Sequence, residues 1–198
     1  MNERAEPAVV VCDANVLYSI VMTDLIISLG SVELFHPRWT SQIHDEWMRT
    51  LLADRPDLAP SKVERRRRQM DQAIDDGLIK GYEHLIPSLT LPDEADCHVL
   101  AAAIHGKAQV ILTYNLRHFP KKALTPFGIA AEHPDKFLTD LVDRSEDAVK
   151  EVLEEMRLRK TRPEVSREEL LRKIENQKLT QFVAKLRAIG MWPFGTPA

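Results

Sequence analysis

Cysteine is scarce in this chain, which holds only Cys12 and Cys97 among its 198 residues. Two cysteines supply neither the disulfide framework of a small secreted domain nor a C-x-x-C metal motif. The seven histidines are scattered and show no H-E-x-x-H spacing, so the sequence lacks that kind of zinc site. Cys12 ends an apolar run, and we expect it to be a small buried hydrophobic residue.

Long apolar runs are also missing from the sequence. No stretch reaches the roughly 18 apolar residues that a membrane-spanning helix needs. The opening letters, M-N-E-R-A-E-P, lack the apolar core of a signal peptide. We therefore expect a cytoplasmic protein without a membrane partner.

The sequence has a net charge of -3, so it lacks the excess of basic residues that is typical of nucleic-acid-binding proteins. An acidic metal pocket can mask a basic rim, so binding to nucleic acid is not excluded. The four arginines at 65–68 have two explanations, a solvated helix face, which we favour, or a rim that contacts phosphates. Trp39 and Trp47 could stack on bases, but we favour core packing for both.

Short apolar runs alternate with helical patterns up to about residue 133. Residues 8–12, 32–36 and 109–113 predict strands, and 79–82 and 128–132 do so more weakly. Helices are predicted at 15–29, from Thr40 or Ser41 to about Asp54, from Pro60 onward, and from Asp96 to a stop at Gly106. This alternation is typical of a parallel sheet covered by helices.

The pattern changes after Pro134. Segments 134–144, 145–160 and 166–189 predict helices, with a turn at Pro163 and a capping box formed by Ser166 and Glu169. We therefore predict a core domain at 1–144 and a helical extension at 145–198. The apolar stripe of the extension must pack on the core, on another subunit or on a partner protein.

Polar oxygen donors stand where the predicted strands meet their helices. Asp13 follows V-V-V-C, Thr113 ends the strand Q-V-I-L-T, and Asn115 comes two residues after Thr113. Open α/β sheets bind ligands at the carboxyl ends of their strands. Acidic oxygen ligands there suit Mg²⁺ or Mn²⁺. The pattern indicates metal-assisted attack on a phosphodiester.

Two further acidic clusters lie on predicted helices. Asp45 and Glu46 both flank the apolar stripe of their helix, and spacing does not choose between them. Asp93, Glu94 and Asp96 cluster at a helix start, where acids also serve as caps. Asp96 is the stronger candidate for a site residue. The apolar positions three, four and seven residues later share its helix face, so we expect Asp96 to point toward the edge of the sheet rather than into water.

Four motifs, in order, carry a resemblance to a known family over roughly residues 8–133. They are V-V-V-C-D-A-N-V-L, S-Q-I-H-D-E-W-M-R-T-L, D-C-H-V-L-A-A-A-I-H-G-K-A and V-I-L-T-Y-N-L-R-H-F-P. The pattern resembles the PIN-domain ribonucleases, best known as VapC-type toxins of bacterial toxin–antitoxin pairs. The resemblance implies a three-layer α/β/α fold with a parallel sheet and a carboxylate-lined metal pocket.

The resemblance also implies roles for individual residues. It favours Asp13, Glu46 and Asp96 as metal ligands and catalytic residues, with Glu46 preferred over Asp45. The fourth acidic position of the family falls on Asn115, which keeps an oxygen ligand but removes a charge and puts a second metal ion in doubt. His118 stands where many relatives carry Asp, and we favour an ordinary loop residue over a substrate contact.

Three residues are assigned to the surroundings of the pocket. Asn15 either orients Asp13 through a hydrogen bond or is a plain turn residue. Asp93 and Thr113 are expected to support the ligands or to contact the substrate.

The leading hypothesis is a metal-dependent endoribonuclease that uses Mg²⁺ or Mn²⁺, cleaves RNA and is occluded by a separate antitoxin protein. A homodimer is left open. One alternative is a PIN-like RNA- or protein-binding module whose Asn115 marks weakened catalysis. Another is a phosphatase of a different α/β family, although haloacid-dehalogenase phosphotransferases need a second Asp where this chain has Asn15.

Overall fold

A computed structural model describes residues 6–161 and 163–191. Its four strands are β1 (Val9–Cys12), β2 (His36–Arg38), β3 (Val110–Leu112) and β4 (Ala130–Glu132). They form one parallel sheet in the order β2-β1-β3-β4, with Val10 opposite Pro37 on one side and Val110 on the other. The prediction of a parallel sheet is confirmed.

Helices cover both faces of this sheet, as a three-layer α/β/α arrangement requires. Those of the first two thirds of the chain are α1 (Ala14–Leu17), α2 (Ile20–Ser31), α3 (Ser41–Asp54), α4 (Pro60–Ala73), α5 (Cys97–His105) and α6 (Lys121–Leu124). Those that follow are α7 (Pro134–Leu158), α8 (Arg167–Glu175) and α9 (Thr180–Ala188). Short 3₁₀ turns occur at Glu83–Ser88, Glu94–Asp96, Leu116–His118 and Thr125–Phe127.

The central strands explain why their sequence is a continuous apolar run. Val10, Val11, Ile111 and Leu112 are all buried, because helices cover the sheet on both faces. Their carboxyl ends open toward one edge of the sheet, where the chain turns into α1 and into the 3₁₀ turn after β3.

The structure corrects two of the strand predictions. Residues 79–82 form no strand, and the chain there makes only a single parallel bridge between Trp39 and Leu78. The second strand begins at His36 rather than at residue 32, and it includes Pro37. Proline is tolerated there because β2 is an edge strand, whose outward side needs no backbone donor.

Two of the helix predictions are corrected as well. The segment 15–29 is divided into α1 and α2, and Ser19 caps α2 through the Met22 amide at 3.5 Å. The segment 166–189 is divided into α8 and α9, with Lys178 between them at a φ of 62°. The predicted division between 134–144 and 145–160 is confirmed, because α7 is interrupted by a kink at Ser145, whose φ of -150° and ψ of 50° are non-helical.

Ser166 caps α8 as predicted, by accepting a hydrogen bond from the Glu169 amide at 3.2 Å. The Glu169 carboxylate pairs instead with Lys173, at 2.8 Å. The boundary predicted between residues 144 and 145 coincides with the kink in α7, and the division into two domains stays a prediction.

The C-terminal helices pack on the rest of the chain. Helix α9 lies against α7, and α8 contacts both α2 and α7. Their apolar faces are buried, as shown by Leu171, Ile174, Phe182, Val183 and Leu186. This packing confirms one of the alternatives for the stripe, which is association with the core of the same chain. Within the described residues, no helix combines the length and apolar character needed to span a membrane.

A single buried carboxylate connects α7 to α9. Asp135 is 4% exposed and accepts hydrogen bonds from the Gln181 amide at 3.0 Å and the Phe182 amide at 2.8 Å. The residue at the N-cap position of α9, Leu179, supplies no side-chain acceptor. Asp135 therefore satisfies the free amides of α9 from another helix.

Candidate active site

A cleft of about 470 Å³ lies at the carboxyl ends of β1 and β3. The first turn of α1, the middle of α3, the start of α5 and the loop after β3 each contribute polar side chains to it. The lining includes Asp13, Glu46, Asp93, Asp96, Asn115 and His118. All four residues predicted to be catalytic therefore line one cleft.

Asp13 is 5% exposed, at the junction of β1 and α1. Its Oδ2 accepts a hydrogen bond from Asn15 Nδ2 at 2.5 Å and another from Thr113 Oγ1 at 2.7 Å. These two donors hold the carboxylate in one orientation. Of the two alternatives for Asn15, the structure contains the hydrogen bond to Asp13.

Asn15 and Thr113 also hold the loop that follows β3. Asn15 Oδ1 accepts from the Tyr114 amide at 3.1 Å, and Thr113 Oγ1 accepts from the Asn115 amide at 3.0 Å. The same two side chains thus connect Asp13 to the backbone of Asn115.

Burial and neighbouring charges both raise the pKa of the Asp13 carboxyl. Burial is the largest cause, the hydrogen bond from Thr113 opposes it, and the charges of Asp96 and Glu46 add smaller increments. Burial also raises the pKa of Asp96, against an opposing contribution from His118. Crowding of acids is therefore present, but desolvation is the greater effect at Asp13.

The raised pKa of Asp13 predicts a pH dependence of stability in the absence of divalent ions. When the folded-state pKa of an acid lies above its unfolded-state pKa, the ionised carboxylate destabilises the folded protein. This destabilisation disappears as the carboxylate is protonated, when pH falls through the folded-state pKa. We expect the melting temperature of Asp13→Asn, relative to wild type in EDTA, to fall progressively from neutral pH toward pH 4. Thermal melts across this range test it, with the exposed-site variant Asp147→Asn as control. A relative melting temperature that rose on acidification would contradict the prediction.

Glu46 rather than its neighbour faces the cleft. Glu46 is half-buried in the lining, whereas Asp45 is exposed. The carboxylate of Glu46 meets a buried imidazole, since His98 Nε2 lies 2.8 Å from Glu46 Oε1. Glu46 lies on α3 and His98 on α5, so only the tertiary structure brings the two side chains together.

His118 is the site residue that the sequence interpretation missed. Its Nδ1 lies 2.7 Å from Asp96 Oδ2 and 3.7 Å from Asp93 Oδ2, which corrects the expectation of an ordinary loop residue. His118 ends the 3₁₀ turn Leu116–His118, three residues after Asn115, and side chains at that spacing lie on the same side of such a turn.

Ligand atoms suited to a metal ion are closest together at one side of the cleft. Among residues 6–161 and 163–191, the ligand atoms of Asp93, Asp96 and His118 lie within 4.8 Å of one another. Asp13 and Glu46 line the same cleft outside this tight group. Asp93 also caps the turn that precedes α5, through the Ala95 amide at 3.1 Å. A cleft lined by four carboxylates fits a hard divalent cation.

The arginine run has a divided role. Arg66 turns inward, where it donates to the carbonyls of Leu17 and Tyr18 and places its guanidinium 4.4 Å from the centre of the Trp47 ring. Arg65 and Arg68 are exposed. Trp39 and Trp47 are both buried, which confirms their predicted core packing.

Tyr114 links the cleft to the C-terminal helices. Its hydroxyl donates to the Gln177 carbonyl at 2.8 Å, and its ring lies 5.0 Å from that of His133. Burial raises the pKa of Tyr114, so the hydroxyl keeps its proton and remains a donor. The loop between α8 and α9 therefore contacts the residue that separates Thr113 from Asn115.

Comparison with known proteins gives three results. Residues 9–117 match the family described as PIN domain, and residues 134–188 match the one described as VapC50 C-terminal domain. A protein of Mycobacterium tuberculosis (strain ATCC 25618 / H37Rv), provisionally named ribonuclease VapC50, is 42% identical over 117 residues, which cover 59% of this chain and 67% of that protein. No solved structure matches the chain.

Proposed function

This chain belongs to the PIN-domain family, and on that premise we propose that it is a metal-dependent endoribonuclease of the VapC type, the toxin of a toxin–antitoxin pair. One observation carries the proposal. Asp13, Glu46, Asp96 and Asn115, which are far apart in the sequence, line a single cleft at the carboxyl ends of two parallel strands.

We assign Asp13, Glu46 and Asp96 as the residues that hold the ion, with Mg²⁺ or Mn²⁺ as the proposed identity. A divalent ion held by carboxylates supplies a bound water of lowered pKa and neutralises negative charge on the phosphate. Asn15 and Thr113 keep the Asp13 carboxylate in a fixed orientation through the hydrogen bonds at Oδ2. Such a fixed carboxylate needs little reorganisation when it takes part in the reaction.

Asn115 occupies the fourth acidic position of the family. The site therefore has one negative charge fewer than a site with acids at all four positions. Its amide can accept a hydrogen bond or donate one to a phosphate oxygen, but it does not attract a second cation as a carboxylate does. We therefore propose that the RNA-free protein binds one ion firmly, and that the amide of Asn115 contacts the substrate. Asp93 lies beside Asp96 in the same lining and contributes further negative charge.

The surface beside the cleft suits the proposed partners. An adjoining groove of about 730 Å³ shares Tyr18 with the cleft and is lined by Lys62 and Arg65, which can contact RNA phosphates. Ile20, which also lines the groove, is 69% exposed. We propose that single-stranded or structured RNA is the substrate, and that a separate antitoxin protein covers this face of the molecule.

An RNA cleavage assay on the full chain tests the proposed activity. We expect cleavage of single-stranded or structured RNA in millimolar Mg²⁺ or Mn²⁺, and none in EDTA, because an ion held by the carboxylates of the cleft would be needed to activate the attacking water. A small phosphate ester should remain uncleaved under the same conditions. RNA binding without cleavage in either ion would support the binding-module alternative, and hydrolysis of the ester alone would support the phosphatase alternative.

A further inference from the structure

The cleft contains an imidazole among its carboxylates. His118 comes from the 3₁₀ turn after β3, and its side chain is 21% exposed beside Asp96, which is 19% exposed. The ligand atoms of these two residues and Asp93 lie within 4.8 Å of one another. This group lies in the same cleft as Asp13 and Glu46.

The spacings within the group suit one shared ion. Two ligands at about 2.1 Å from an octahedral ion lie ~3 Å apart when they are adjacent and ~4.2 Å apart when they are opposite. His118 Nδ1 lies 2.7 Å from one Asp96 oxygen and 3.7 Å from one Asp93 oxygen. Small side-chain adjustments would therefore bring all three atoms to coordination distance.

We propose that His118 Nδ1 is a direct ligand of the divalent ion, so that the ion is bound through nitrogen as well as oxygen and Mn²⁺ is preferred to Mg²⁺. The proposal rests on the metal dependence proposed above and adds a ligand and a metal preference to it. Asp93 and Asp96 supply the oxygen ligands on the same side of the ion.

The chemistry of the donor atoms gives the direction of the preference. Mg²⁺ takes oxygen ligands in a strict octahedral arrangement and gives up its water reluctantly. Imidazole nitrogen is a softer donor than carboxylate oxygen, and Mn²⁺, as a transition-metal ion, accepts it more readily than Mg²⁺ does. Replacing His118 by Asp restores an all-oxygen site, which should reduce or reverse the preference.

Pulsed electron paramagnetic resonance of the Mn²⁺-loaded full chain is the decisive measurement, because it detects ¹⁴N nuclei bound to the ion independently of activity. We expect a directly coordinated ¹⁴N signal in wild type that is lost in His118→Asp. The signal should persist in His98→Gln, which removes the other imidazole near the carboxylates, and in His84→Asn, which changes an exposed histidine away from the cleft.

Calorimetric titration of the same proteins provides the second readout. We expect wild type to bind Mn²⁺ more tightly than Mg²⁺, and His118→Asp to lose most of the ratio between the two dissociation constants. Thermal melts confirm that each variant is folded before it is titrated.

The two proposals fail in different ways. Mn²⁺ binding without the ¹⁴N signal, or with a signal that disappears in His98→Gln and survives in His118→Asp, overturns the assignment of His118 and leaves the metal dependence intact. In that case His118 is a hydrogen-bonding partner of Asp96. If wild type binds neither ion, in the absence or presence of RNA, both proposals are overturned.

Discussion

Asp13→Asn is expected to reduce RNA cleavage on the order of a thousandfold while the protein remains folded. The substitution keeps the size and shape of the side chain but removes the charge from the most buried carboxylate of the cleft. It also exchanges one carboxylate oxygen for an NH₂ group, which cannot bind a cation. The ion should therefore bind weakly, and the phosphate charge should remain uncompensated.

The fold should tolerate this change because the ionised carboxylate is costly where it stands. Burial raises the pKa of Asp13, which means that the charged form is less favourable in the folded protein than in water. Asn can retain an amide oxygen as the acceptor for Asn15 and Thr113. At neutral pH in EDTA we expect a melting temperature equal to or above that of wild type, together with the loss of activity.

The neighbouring pair on α3 supplies matched controls for the activity measurement. Asp45→Asn makes the same chemical change on an exposed residue and should leave single-turnover cleavage within about twofold of wild type. Glu46→Gln, one residue later, should lose activity as Asp13→Asn does. Full activity in Asp13→Asn would remove Asp13 from the site, whereas an equal loss in Asp45→Asn would reverse the choice between the two acids of α3.

The second large effect is expected where α9 docks on the start of α7. Asp135→Ala should lower the free energy of unfolding by about 3 kcal/mol, because it leaves the Gln181 and Phe182 amides at the start of α9 without their buried acceptor. For a chain of this size, the loss corresponds to a drop in melting temperature of roughly 6–12 °C. Chemical denaturation and thermal melting measure the two quantities.

Asp147→Ala is the control for this experiment. Asp147 lies on the same helix, α7, but is exposed, so its replacement should change the free energy of unfolding by less than about 0.5 kcal/mol. Asp135→Asn should show an intermediate loss, since the amide oxygen keeps one acceptor without the charge. If Asp135→Ala were as stable as Asp147→Ala, the hydrogen bonds to α9 would contribute nothing to the docking of the C-terminal helices.

Local signals in the sequence were enough for the main elements of the fold. Strand β3 was recognised because it is short, apolar and β-branched, and α3 because Thr40 offers a side-chain cap to the Ile43 amide, found at 3.1 Å. Asp13 and Asn115 were identified because each follows such a strand. These properties depend on residues that are close together in the chain, so a single sequence contains them.

Where local signals were weak, the predicted boundaries failed. Residues 79–82 have the composition of a strand, but the chain meets the edge of the sheet only at Leu78. The apolar pattern continues across the break between α8 and α9, so the pattern does not reveal the break. The break occurs at Lys178, which has a positive φ although lysine has no preference for that conformation. Packing of each helix on a different part of the core decides such breaks.

The composition of the cleft depended on tertiary structure. From the sequence, His118 was expected to be a loop residue, and Arg66 was not distinguished from its neighbouring arginines. In the structure, His118 Nδ1 lies 2.7 Å from an Asp96 oxygen, and Arg66 packs on the Trp47 ring. Asp135 similarly caps a helix that begins 45 residues later. Each role is set by a partner distant in the chain, and only the folding of the backbone brings the two together. The sequence by itself therefore determined the elements and the types of donor atom, whereas the tertiary structure determined which of those atoms meet.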